Sequence, residues 1–104
     1  MADDEPRDDT AGNKLDPIAE TILSLLRAEP PGGSLDPAAV ARAYAADRRK
    51  PGDPSDVWRR WLPAVRQQSR FLARRGLIVI LRHGEPLDPE GPVKGLVRLA
   101  LPGR

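Results

Sequence analysis

The sequence predicts an α+β domain of winged helix-turn-helix type: three helices followed by a two-stranded β-hairpin wing. Three observations carry this expectation. Apolar residues recur at helical spacing in three segments between residues 15 and 75, two apolar runs follow toward the C-terminus, and a stretch rich in glycine and proline separates those runs. Helix, helix, helix, strand, long loop, strand is the order of a winged helix, with the third helix in the recognition position.

The first helix opens at Leu15-Asp16-Pro17. Asp16 suits the N-cap, Pro17 the first helical position, and Glu20 the positive end of the helix dipole. Ile18, Ile22, Leu25 and Leu26 fall at i, i+4, i+7 and i+8, one face of a helix that ends near Glu29, before Pro30-Pro31-Gly32-Gly33. Leu35-Asp36-Pro37 repeats the starting device. Leu35 and Val40 are spaced for a hydrophobic staple, and Val40, Ala41 and Tyr44 form a short apolar face. A polar loop with two prolines, Asp47 to Pro54, follows.

In the third helical region Asp56 or Ser55 is positioned to cap, and Gly76 suits the C′ position. Trp58, Trp61, Leu62, Val65 and Leu72 gather on one side at 100° per residue. Pro63 removes a backbone donor and crowds the preceding turn, which predicts a short turn through about Arg60 and a second helix over about 62–75. Leu77 to Arg82 reads as a buried strand and Leu96 to Leu101 as its antiparallel partner. The loop His83 to Gly95 is too long for a tight hairpin turn. The expected core centre is Trp58, Trp61, Leu62, Val65 and Leu72 with Ile18, Ile22, Leu25, Ile78 and Ile80.

A length of 104 residues allows one domain. Residues 1–14 lack apolar periodicity and read as a disordered acidic tail ahead of a domain over 15–104. There are no cysteines, which excludes disulfides and thiolate metal sites and fits a reducing, cytoplasmic setting. The first residues are acidic where a signal peptide is basic, and the longest apolar run, Leu77 to Leu81, is far shorter than a membrane span. No membrane partner is expected.

The net charge of +2 hides an asymmetry. Residues 1–14 carry five acids against Arg7 and Lys14, whereas residues 48–82 carry ten Arg or Lys against Asp53 and Asp56. So basic a block suggests a polyanionic partner. The competing explanation is compositional, since most of the basic residues are arginine and Arg, Ala, Pro and Gly are all abundant.

From Leu15 onward the chain also resembles the bacterial domain-of-unknown-function family numbered 3253. The resemblance rests on Trp58-Arg59-Arg60-Trp61-Leu62-Pro63-Ala64-Val65-Arg66, on Leu72 with Arg75-Gly76-Leu77-Ile78, and on the wing segments Gly84-Glu85-Pro86-Leu87-Asp88-Pro89 and Lys94-Gly95-Leu96-Val97-Arg98-Leu99. Gly95-Leu96-Val97-Arg98 stands where the family pattern has Gly-Pro-Ile-Arg. The resemblance implies a winged-helix-like fold and no activity.

The candidate site is an arginine stripe. Taking Trp58 as zero, Arg66, Arg59, Arg70, Arg74 and Arg60 lie at roughly 80° to 200°, opposite the apolar set. Arg66, Arg70 and Arg74 follow i, i+4, i+8 beyond Pro63, and no acid follows Asp56 on this helix. A recognition helix needs one packed face and one face offering planar donors to phosphates and guanine edges; a solvated helix face gives the same pattern. The expected nucleic-acid-binding residues are Arg59, Arg66, Arg70, Arg74, Arg82 and Lys94, with duplex DNA or another polyanion as partner. Trp58 and Trp61 read as core rather than base-stacking residues, and Phe71 falls off the apolar face. The single histidine, His83, has no placed partners for metal or triad chemistry. Asp88 and Glu90, Gly84, Gly91 and Gly95, and Ser34, Ser55 and Ser69 match no catalytic or phosphate-cradling motif. No enzyme activity, cofactor or metal is expected. The alternative is a protein-interaction adaptor on the same scaffold, docking an acidic protein, because a fold does not fix a function. No heptad helix points to an oligomeric state.

Overall fold

Two aspartate-proline pairs set the first half of the fold. In the computed structural model, which describes residues 15–93 and 95–103, α1 spans Pro17–Ala28 and α2 spans Pro37–Asp47. Asp16 accepts a hydrogen bond from the Ile18 N–H at 2.7 Å, and Asp36 accepts one from the Ala38 N–H at 2.8 Å. Each carboxylate satisfies a backbone donor that the helix itself cannot, with proline at the position where no donor is needed. The expected tail, residues 1–14, lies outside the described residues.

The third helical region divides at Pro63 as its sequence predicts. A 3₁₀ helix, Val57–Trp61, runs into α3, Leu62–Arg74. Asp56 holds the N-cap position of the 3₁₀ segment but makes no side-chain capping bond, so the expected cap is not formed. Gly76, at φ 75°, ends α3: its N–H donates to the Ala73 carbonyl and the Leu77 N–H to the Leu72 carbonyl, both at 3.0 Å. This pair of bonds closes the helix around a left-handed glycine. It also explains why the following strand starts later than expected. Leu77 is taken up in the helix stop and is 40% exposed, and β1 covers only Val79–Arg82.

The sheet has three strands rather than two, in the order β2-β1-β3. β2, Glu85–Pro86, folds back on β1 with Arg82 opposite Glu85, and β3, Arg98–Ala100, pairs antiparallel with the other edge, Ile80 opposite Leu99. Against expectation, a tight turn joins β1 to β2, made by His83 and Gly84 with φ 52° and 80°. Two successive positive φ angles match the twist of the flanking strands, and histidine tolerates the left-handed region better than most residues. On the far side of β3, Leu35 and Leu99 exchange backbone hydrogen bonds at 2.8 and 2.7 Å. The segment between α1 and α2 is thereby tied to the sheet edge. Leu35, expected as a helix staple, serves as this bridge.

The core contains Ile18, Ile22, Leu26, Val40, Val65, Leu72, Ile78, Ile80, Val97 and Leu99, all buried. Trp58, Trp61, Leu62 and Leu25, expected at its centre, are only partly buried and pack against its margin. For the two tryptophans the reason is the 3₁₀ geometry. At about 3.0 residues per turn, Trp58 and Trp61 eclipse one another, and the segment turns its aromatic side to α2 rather than to the sheet. The Trp61 ring meets Tyr44 edge-on at 5.0 Å between centroids, and the Arg42 guanidinium lies 4.4 Å from the Trp58 ring centroid. Ser69, the one buried polar residue among those described, donates to the Val65 carbonyl one turn back at 2.7 Å.

Candidate nucleic-acid interface

Amphipathicity of α3 creates the surface that the arginine spacing predicts. Val65, Ser69 and Leu72 are buried on one face, and Arg66, Arg70 and Arg74 occupy another at one-turn intervals. Their circumstances differ. Arg66 is half-buried and, among the described residues, has no hydrogen-bond or ion-pair partner. Arg70 reaches across to the loop between β2 and β3: its Nε–H donates to the Pro89 carbonyl at 3.2 Å and an Nη2–H to the Glu90 carbonyl at 3.1 Å. Arg74 pairs with the Glu90 carboxylate at 3.3 Å, with side chains 45% and 69% exposed. The acid that the helix lacks is supplied by the loop.

The loop is prepared for this contact by its own turn. The Gly91 N–H donates to the Asp88 carbonyl at 3.0 Å, and the Glu90 N–H donates to Asp88 Oδ1 at 2.9 Å. Asp88-Pro89-Glu90-Gly91 thus presents two backbone carbonyls to one guanidinium fork, an arrangement suited to arginine and not to lysine. The exposed Arg74–Glu90 pair contributes at most about 1 kcal/mol and opens readily to a competing anion. Arg70→Gln is therefore expected to release the loop without unfolding the domain. Amide exchange at Glu90 and Gly91 should speed up at least tenfold while the amides of Ile80 and Leu99 stay protected; unchanged exchange at Glu90 and Gly91 would show that the arginine does not hold the loop.

The other expected residues lie apart from this set. Arg59 sits on the 3₁₀ segment, its guanidinium 5.4 Å from the Trp58 centroid. Arg82, exposed at the end of β1, passes over Gly95, where a Cβ would stand 3.6 Å from its Nη2. Lys94 lies outside the described residues. His83 is an exposed turn residue, and Phe71 is 39% exposed with the Arg75 guanidinium 5.3 Å from its centroid.

A second basic region, along the junction of α2 with the 3₁₀ segment, lies apart from Arg66, Arg70 and Arg74 of α3. A cleft of about 270 Å³ there is lined by Arg42, Arg49, Ser55 and Trp58, and beside it another is lined by Arg48, Lys50, Asp53 and Arg60. Arg42 stands on α2 and Arg49 two residues beyond its end, so no single helical periodicity in the sequence joins them. Across the described residues, no group of three or more His, Cys, Asp or Glu is placed to hold a metal ion, and no helix is long and apolar enough to cross a membrane.

Three helices and a small antiparallel sheet define a small α+β domain whose third helix bears a row of arginines. The model of the family described as protein of unknown function, DUF3253, matches residues 15–102. The chain belongs to that family. No curated protein is found to match it.

Proposed function

We propose that the domain is a winged helix that binds nucleic acid through α3 and the loop that follows β2. The observation that carries this reading is the coupling of the arginine face to the loop. Arg70 holds the loop by two carbonyls and Arg74 by one carboxylate, so helix and wing form one continuous surface, with Arg66 unpartnered among the described residues. A guanidinium has five N–H donors, and Arg70 spends two on the loop, leaving the rest of its fork for phosphate oxygens. The winged-helix reading also draws support from the Leu35–Leu99 bridge. It ties the stretch between the first two helices to the strand after the wing, as a short first strand does in that architecture. No catalytic chemistry belongs to this reading.

Phosphate contacts position a protein without reading sequence, and base-edge contacts specify. The expected binding is therefore sequence-tolerant, with arginine contacts to the backbone dominating. Fluorescence anisotropy with labelled duplex and single-stranded oligonucleotides at low salt tests it. Saturable binding to the duplex supports the proposal. Absence of binding to both would reject it and make the arginine face a docking surface for an acidic protein, the adaptor alternative.

A further inference from the structure

The cleft between α2 and the 3₁₀ segment carries a separate inference. Its lining includes Arg42, Arg49, Ser55, Val57 and Trp58 and no acidic residue. Arg42 packs on the Trp58 ring at 4.4 Å, and Arg59 approaches the same ring at 5.4 Å. One indole thus gathers two like charges. Neither Arg42 nor Arg49 forms an ion pair or side-chain hydrogen bond among the described residues. Of the acids near it, Asp47 pairs with Arg48 at 3.7 Å and Asp53 accepts from the Lys50 N–H at 2.8 Å; Asp56, between Ser55 and Val57, is exposed and does not line the cleft.

We propose that this cleft is an oxyanion site that takes a phosphate group. Arg42, held in place by stacking on Trp58, and Arg49 supply the positive charge and planar donors, and the Ser55 hydroxyl supplies a neutral one. Arginine forks match phosphate oxygens in geometry as well as in charge. Arg42 already covers Trp58, which leaves the indole as a wall rather than a stacking platform. The phosphate has two candidate sources, a small phosphorylated molecule or the phosphodiester of a nucleic acid. The site does not depend on α3 engaging nucleic acid.

Two-dimensional ¹H–¹⁵N spectra of the whole chain provide the test, with the Trp58 indole signal assigned through Trp58→Phe. Inorganic phosphate should move the Trp58 indole and the Arg49 and Ser55 amides along a saturating curve, with a dissociation constant on the order of millimolar as expected for exposed charges. Chloride at matched ionic strength should not. Arg42→Gln and Arg49→Gln should each weaken phosphate binding about tenfold or more, in variants whose remaining spectrum reports an intact fold. Arg42→Lys keeps the charge but loses the stacked fork and should fall between. A short oligonucleotide without terminal phosphates separates the sources: saturating shifts at the same signals assign the site to backbone phosphodiesters, and their absence beside a phosphate response assigns it to small phosphorylated molecules. Shifts identical in phosphate and chloride, or affinities unaffected by Arg42→Gln and Arg49→Gln, would overturn the proposal.

Discussion

Leu72→Ala is expected to destabilise the domain more than truncation of either tryptophan. Leu72 is fully buried on α3, within a cluster that also contains Ile22 of α1 and Leu99 of β3. Removing its branched end deletes apolar contact and leaves a cavity that rigid helices and a short sheet cannot collapse, a loss of about 2–5 kcal/mol. A domain of this size has roughly 5–10 kcal/mol to lose, and each kcal/mol moves the melting temperature by about 4–8 °C. The expected drop is therefore roughly 8–40 °C. Trp61→Ala makes the useful comparison. Its indole is only partly buried and meets Tyr44 edge-on, an aromatic pair contributing about 0.5–1.5 kcal/mol beyond its buried area. Urea unfolding of both variants decides the order. A greater loss for Trp61→Ala than for Leu72→Ala would relocate the core centre to the junction of α2 and the 3₁₀ segment.

That comparison also marks where the sequence can be read and where it cannot. Caps and stops are legible because their chemistry is local: Asp16-Pro17, Asp36-Pro37 and Gly76 each act within a few residues. The break at Pro63 is legible for the same reason. The orientation of Trp58 and Trp61 is not, because a single 100° rotation does not describe a segment that winds as a 3₁₀ helix. The tight turn at His83-Gly84 hides inside a longer loop, although a residue tolerant of positive φ followed by glycine is its signal. The partners of Arg70 and Arg74 are out of reach for another reason. Glu90 lies 16 residues beyond Arg74 in the chain, and no local periodicity reveals that a loop will fold back onto a helix face. The arginine stripe is visible in the sequence; its attachment to the wing is not.

Neutralising that stripe is expected to have the largest effect on binding. Arg66→Gln, Arg70→Gln and Arg74→Gln combined remove the basic face of α3 while leaving Val65, Ser69 and Leu72 in place. None of the three arginines belongs to the buried core, so the core should stay folded while the loop that Arg70 holds is released. Hydrogen bonds to charged groups contribute about 1.5–3 kcal/mol each, which over three positions corresponds to at least a thousandfold weaker affinity for duplex DNA. Arg66→Gln alone, which leaves the loop contacts of Arg70 and Arg74 in place, separates a recognition surface from a structural one. Retained affinity in the triple variant would move the interface elsewhere on the molecule, with the basic α2 junction the next surface to test.

The central claim, that α3 and the wing together contact nucleic-acid phosphates, is tested most directly by the salt dependence of duplex binding. Each phosphate contact releases condensed counterions, so the logarithm of the association constant falls against the logarithm of salt concentration with a slope near −0.9 per contact. Three to five contacts from α3 and wing correspond to a slope of about −3 to −4.5. Replacing Arg66 by glutamine should reduce its magnitude by about one. A slope in that range that shrinks on this replacement is the expected result. A slope near zero, or one that Arg66→Gln leaves unchanged, would contradict the claim.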